Sequence, residues 1–405
     1  MRAESGIFFY LAGVINDDTM KRFSFYFLVL YLLASCQGTK QAETQALSVV
    51  DMTKSYPEKE IVLQDIADVE YIPLETTDDC LFNGVAAIVS DKYIVTIGHQ
   101  SEDVCLFSRE GKALTRIHRV GNGPGEYKDI ATVDVNWEDG ELYLKEMNRQ
   151  KIHVYSLDGT FKRSLPYPEN IWLNQMYLFS PEYLIACRDF TPSAGSDAGF
   201  HPYLLVSTES GQLDSLSYVQ KKCVQVKLII NEQTHLYGYM HEPSIICNGS
   251  RFYIGNADSD TLFTMEPDFA LKPLLVRTPS HNEEGNQYGL FLKGVAGPYL
   301  FLTKQPMEIP MNSIDHLDLQ NEEWLYDRRT QEVVRYIFKN REDTSKPVSG
   351  IMFYRYPEDC ALVILKSEDL VEAYEASELS GELKKIVSGM KVDDNPVLML
   401  IQFKG

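Results

Sequence analysis

A chain of 405 residues with 44% hydrophobic and 11% aromatic content can bury a sizeable core, as two or three ordinary domains or as one large closed repeat. Disorder is excluded as its main state. A net charge of −20 argues against a nucleic-acid partner, because so acidic a surface repels phosphate backbones. No Asp/Asn/Gly loop of the EF-hand kind accompanies the acidity, so it reads as a solvated surface.

The N-terminus carries an address. Met20-Lys21-Arg22 precede the apolar run Phe23–Leu33 and then Ala34-Ser35-Cys36. That is the plan of a secretory signal, with an apolar run too short for a permanent span. Leu33-Ala34-Ser35-Cys36 resembles a bacterial lipobox, which makes Cys36 the expected lipidated first residue of the mature protein. Asp17 and Asp18 do not fit a basic start, so translation is expected to begin at Met20. Gln37–Gln41 is polar with no Asp beside the cysteine, which points to an outer-membrane lipoprotein, with the periplasmic leaflet favoured over the cell surface. The expected divisions are a signal region over 1–36, a tether over 37–60 and a globular unit over 61–405. Cys80, Cys105, Cys187, Cys223, Cys247 and Cys360 stand singly, which argues against a zinc site. Disulfides are permitted in such a compartment, but nothing in the spacing selects a pair.

In chain order, Val69–Glu75 reads as a strand that Pro73 confines to an edge or terminus. From residue 84 a unit repeats with a period of about 50 residues, in the range of propeller blades. Its first copy holds Val85–Val89, Tyr93–Ile97, Val104–Phe107 and Ala113–Ile117, with turns at Ser90-Asp91 and Arg109–Gly111. Runs of β-formers bounded by Asp, Gly and Asn are what short antiparallel strands look like. Gly121-Asn-Gly-Pro-Gly-Glu-Tyr127 joins it to a second copy over Ala131–Trp137, Glu141–Leu144, Ile152–Tyr155 and Phe161–Leu165. Further copies run from Met176 to Tyr218, from Ser244 to Val276, and from Leu290 to Phe338. Lys304–Asn321 interrupts the last of these. A sixth begins with Ile351–Tyr356 and Ala361–Leu365. Over 376–389, Leu379, Leu383, Ile386 and Val387 share a helical face, with Glu378 and Glu382 early and Lys384 and Lys385 late. This predicts one short amphipathic helix. Pro396–Phe403 is the final strand, and Val69–Leu74 is expected to supply the missing outer strand of this copy and close the ring. The fold class is thus all-β: a six-bladed propeller of four-stranded antiparallel blades, closed by an N-terminal strand, with one helix inserted in the last blade.

Glu70–Glu75, Gly121–Tyr127, the Asp158-Gly159 turn and Asp393-Asp-Asn-Pro-Val397 together resemble the six-bladed β-propeller lipoproteins of Bacteroidetes, an NHL-like group. The resemblance covers nearly the whole mature chain and implies fold and secretion. It implies no agreed activity.

Loops on a rigid scaffold are where binding resides. In a blade ordered a-b-c-d, the d→a and b→c connections emerge on one face around the channel. They nominate Arg119, Glu126 and Tyr127 from one such loop and Arg149 from another. Thr234–His241 adds His235, Tyr237, Tyr239 and His241, which share one face if the stretch is extended. Those side chains could hydrogen-bond and stack on a sugar, ligate a metal, or do acid–base work; packing as a polar surface loop is the plainer alternative. The glycine motif reads first as a structural joint, since no Lys-Ser/Thr follows it and the next element is a strand. Gly-x-Ser-x-Gly and His-Glu-x-x-His are absent. The expectation is a monomeric binding module for a protein, peptide or glycan, without cofactor or metal. The alternative is a carbohydrate-active hydrolase or lyase on the same face.

Overall fold

A computed structural model describes residues 47–82, 86–98, 102–146, 149–188, 201–217, 226–231, 236–240, 245–255, 259–280, 287–310, 321–353 and 358–405, with backbone alone at 86–87, 230–231 and 236–240. Cys36 and the whole leader lie outside these residues, as do His235 and His241.

Six antiparallel four-stranded blades stand in a ring, five of them built from strands a to d in sequence order. Blade 1 spans Ala86–Val89, Tyr93–Ile97, Asp103–Ser108 and Ala113–His118; blade 2 spans Ile130–Asn136, Glu141–Glu146, Lys151–Ser156 and Phe161–Pro166. Blades 3, 4 and 5 begin at Leu173, Ile245 and Tyr288. Blade 6 takes Met352–Phe353, Cys360–Leu365 and Val397–Phe403 from the C-terminal end and Ala67–Pro73 from the N-terminal end. Glu70 pairs with Leu400 at the centre of that closing ladder. The expected closure is therefore present.

Middle strands are buried on both faces, because every blade is sandwiched between two others. In blade 2, Tyr155, Leu142 and Leu144 face the blade 1 core, whereas Ile152, Val154 and Tyr143 face that of blade 3. Continuous apolar runs rather than strict alternation are the sequence consequence.

The c–d turns lock neighbouring blades together. Gly111 (φ 86°) and Gly211 (φ 76°) close that turn in blades 1 and 3. A Cβ on Gly111 would stand 2.1 Å from the Pro73 carbonyl oxygen of blade 6, and one on Gly211 2.7 Å from the Pro166 carbonyl oxygen of blade 2. Blades 4 and 5 place Phe269 (φ 65°) and Gln331 (φ 59°) at the equivalent turn, so the glycine signature fades from the later copies. Arg109 adds a two-pronged ion pair to Glu70 across the closing seam, at 2.9 and 2.6 Å.

Three features differ from the sequence expectation. Among the described residues, strand pairing begins at Ser48, inside the stretch expected to be a tether over 37–60. Ser48–Asp51 adds in parallel to the outer strand of blade 4, and Glu58–Val62 to that of blade 5. After the helical turn Leu63–Ile66 the chain enters blade 6, so one N-terminal strap edges three successive blades. Isolated mixed runs such as Ser48-Val-Val-Asp51 carry little strand signal, and only the free edges of blades 4 and 5 make them strands. Second, the last-blade insert is two helices, Ser367–Glu375 and Gly381–Val387, rather than one over 376–389. Ser377 (φ 63°) and Gly381 (φ 60°) reverse the chain between them, which lets Leu370, Ala373, Leu379, Leu383 and Val387 enter one core. Third, the irregular stretch after Lys304 contributes Glu308–Pro310, which pairs in parallel with Val226–Asn231 of the hairpin completed by Leu236–Met240. A small extra sheet therefore joins the link after blade 3 to the b–c connection of blade 5.

Ion pairs also tie blades together. Arg163 grips Glu141 at 2.7 and 2.8 Å and reaches the Thr208 carbonyl oxygen of blade 3 at 3.0 Å. The Arg163 guanidinium holds the Glu141 carboxyl down at about 2, against the opposing effect of burial and with help from Lys162 and Tyr143. A depressed folded-state pKa gives stability that is fully present above the ordinary Glu value of 4.5 and is lost as pH falls through about 2. The contribution is about 3 kcal/mol. Thermal midpoints measured between pH 6 and pH 2 should therefore fall more steeply for the native chain than for Arg163→Met; parallel curves would show that the pair does not stabilise the fold.

Candidate functional site

Connections d→a and b→c leave the ring on one face. On that face, where blade 6 meets blade 1, lies a pocket of about 740 Å³. Four segments wall it: the 6→1 link at Leu81 and Phe82, the blade 1 b–c connection at Glu102 and Asp103, the approach to blade 6 at Gly350 and Met352, and the two ends of the helical insert at Lys366–Glu368 and Val392–Asn395.

These walls are held by side chains that the local sequence would otherwise leave as loop. Asn395 is 3% exposed. Its Nδ2 donates to the carbonyl oxygens of Glu75 (2.8 Å) and Cys80 (2.7 Å), and its Oδ1 accepts from the Phe82 amide (2.6 Å). One buried amide thus ties the 6→1 link at Glu75, Cys80 and Phe82, because a buried polar group needs a partner. Ser367 Oγ donates to the Val392 carbonyl oxygen at 2.8 Å and draws the two ends of the insert together. Asp394 accepts from the Lys391 amide at 2.7 Å.

Two kinds of surface meet in the pocket. Leu81 and Val392 are 56% and 61% exposed, so large apolar side chains stand in water at its mouth. Glu102, Glu368, Asp393 and Asp394 supply carboxylates, with Lys366 as the cation among the lining residues. Asp103 is satisfied separately, by Arg116 Nε at 2.7 Å and His118 Nδ1 at 2.9 Å. Burial works against its ionisation, but those hydrogen bonds outweigh it and keep the carboxyl below the usual aspartate range. The arrangement offers hydrogen-bond acceptors beside an apolar ledge.

Those candidates nominated from sequence that are among the described residues do not line this pocket. Tyr127 is fully buried, its one hydroxyl proton shared between the carbonyl oxygens of Glu102 (2.8 Å) and Ile117 (2.9 Å). Burial pushes that phenol up, with Tyr155 and Asp103 adding to it. Glu126 folds back over its own loop and accepts from the Gly123 amide at 2.7 Å; Gly121 leaves room for it, since a Cβ there would stand 2.0 Å from its Oε2. Tyr155 donates to the Gly125 carbonyl oxygen. The glycine motif is thus packed as a joint between blades 1 and 2. Arg119 is exposed beside it. Arg149 donates to Asn122 Oδ1 and lies 3.4 Å from Glu146. Glu146, buried, also approaches His153 Nε2 at 3.4 Å, and His153 Nδ1 meets Ser164 Oγ at 2.9 Å. Burial lowers the His153 pKa despite the Glu146 carboxylate. Tyr237 and Tyr239 lie in the strand Leu236–Met240, opposite Ile229 and Lys227.

Glu102 and Asp103 belong to a b→c connection, the kind expected to bind, and the pocket wall near residue 393 was signalled by Asp393-Asp-Asn-Pro-Val397, a motif noted for its resemblance to a family. No group of three or more His, Cys, Asp or Glu side chains placed to hold a metal occurs among the described residues. No helix among them is long and apolar enough to cross a membrane.

Residues 47–402 match a family described as a domain of unknown function (DUF4934). No curated protein matches the chain. Among solved structures, a candidate exported protein of Bacteroides fragilis is similar over 88% of this chain and 100% of its own, with 13% identity and a TM-score of 0.59. A member of the DUF4221 family from Bacteroides vulgatus covers 84% of this chain and 99% of its own at 9% identity and a TM-score of 0.49. Virginiamycin B lyase from Staphylococcus aureus covers 82% and 99% at 9% identity, with a TM-score of 0.39. At 13% identity the first of these likenesses speaks to the fold alone.

Proposed function

Since the chain belongs to the DUF4934 family, a family of six-bladed propellers from Bacteroidetes, we propose that it is an exported lipoprotein that binds a peptide or glycan segment in the pocket between blades 6 and 1. The observation that carries this reading is the pairing of exposed Leu81 and Val392 with a rim of carboxylates in one 740 Å³ recess. An apolar ledge with a few placed polar groups is the usual composition of a ligand site. Carboxylate acceptors favour ligands rich in donors, either sugar hydroxyls or basic side chains. Cys36 is the lipid attachment site in this reading, and the envelope is the address.

Peptide and glycan arrays probed with the full chain supply the ligand, and titration then compares Leu81→Asp and Asp393→Asn with the parent. Both positions are exposed, so folding is spared. Affinity should fall about tenfold or more, equivalent to about 1.4 kcal/mol. Unchanged affinity in both variants moves the site elsewhere on the ring. Release of shortened sugars during the same incubation would instead support the hydrolase or lyase alternative. In cells, palmitate labelling should be abolished by Cys36→Ser; label retained in that variant ends the lipoprotein reading.

A further inference from the structure

We infer that Cys80 and Cys105 form a disulfide that staples the 6→1 link to blade 1, beside the pocket wall. The six cysteines beyond Cys36 carry no pairing signal in their spacing, yet the fold brings these two together. Cys80 sits in the link ahead of blade 1 and Cys105 in strand c of that blade, at 2% and 3% exposure. Both belong to one core with Ile72, Leu74, Phe82 and Phe107. Cys80 Sγ lies 3.8 Å from the Thr115 carbonyl oxygen, and the next residue, Arg116, pairs directly with Cys105. Both are free thiols in the structure, and each is the leading influence on the other's ionisation. The Cys105 thiol, opposed by burial and aided by Arg116, holds the Cys80 thiol below its ordinary value, and Cys80 together with burial pushes Cys105 up.

The chemistry needs an oxidant of the disulfide class. The Cys80 thiolate attacks one sulfur of a small disulfide, a thiolate leaves, and a mixed disulfide forms. Cys105 gives its proton to solvent, attacks the Cys80 sulfur and expels the second thiolate. Two protein thiols lose two electrons and two protons, and the external disulfide becomes two thiols. Because both sulfurs are buried in the closed ring, exchange belongs to folding, before the link seats under Asn395. The staple then fixes the segment whose next two residues, Leu81 and Phe82, line the pocket. It does so whatever ligand the pocket takes.

The full chain is reduced and unfolded, refolded in a mixture of oxidised and reduced glutathione, alkylated, digested and mapped by mass spectrometry. The expected result is a linked peptide joining Cys80 to Cys105 and two fewer alkylatable thiols. The unfolding midpoint should stand about 4 °C above that of the chain refolded with reductant. Cys105→Ser should abolish both the linked peptide and the shift. Alkylation of both cysteines after oxidative refolding, or a link from either one to a different cysteine, overturns the proposal. The map of the parent chain decides the matter even where the serine variant fails to fold.

Discussion

Gly111→Ala is expected to cost about 3–5 kcal/mol of stability, among the largest effects of any single substitution in this ring. Two penalties add. At φ 86° an L side chain loses about 1–2 kcal/mol to its own backbone. The new Cβ would also stand 2.1 Å from the Pro73 carbonyl oxygen, and Pro73 cannot retreat. It belongs to the outer strand of blade 6, where it is opposite Val397, and the next amides are committed too: Glu75 donates to the Gly111 carbonyl oxygen at 2.8 Å. Gly159→Ala is the internal control. Its φ of 83° is similar, but its Cβ would meet only side chains, Ile117 at 3.3 Å and Thr115 at 3.5 Å, so the conformational penalty should dominate, about 1–2 kcal/mol. Urea unfolding of the two variants tests this. Equal losses would mean that the seam between blades 6 and 1 yields easily and that the clash contributes nothing.

Loss of the N-terminal strap should be comparably damaging. Val50 is fully buried and Met52 is 5% exposed, both in the core shared by blades 4 and 5, and Tyr56 stands edge-on to Trp324 at 5.0 Å. Val50→Asp places a carboxylate in that core and should cost about 3 kcal/mol or more. Truncation to residue 63 removes both added strands, with an expected loss of about 4–6 kcal/mol from buried apolar area, and bares the outer edges of blades 4 and 5. Bare edges recruit other chains, so the truncated protein should also self-associate in sedimentation. A truncated chain that stays monomeric with an unchanged midpoint would show the strap to be a passenger.

The two results bear on how the ring is made. The late blades lack the turn glycine that lies on the preceding blade, having Phe269 and Gln331 at that place, and the strap covers the outer edges of blades 4 and 5 among them. The early blades carry the glycines and are closed by Gly111 against Pro73. Closure therefore rests on contacts between the two ends of the chain, so changes near either terminus are felt at the pocket on the same seam.

Much of this was legible from residues alone. Short β-former runs punctuated by Asp-Gly and Glu-Gly turns specify strands, their recurrence specifies blades, and Val69–Leu74 beside Pro396–Phe403 specifies closure, because local propensity and turn chemistry act over a few residues. The glycine motif's role as a joint was also readable, since flexible glycines and a stiff proline set a bend wherever they occur. What only tertiary structure decided was everything that depends on distant partners. Ser48–Asp51 and Glu58–Val62 are strands because edges await them. Asn395 is a structural knot because the 6→1 link lies within its reach. Tyr127 turns inward because the carbonyl oxygens of Glu102 and Ile117 are there to accept its proton. The pocket is assembled from positions near 81, 102, 352, 366 and 393, and no pattern along the chain can register a proximity that exists only once the ring has closed.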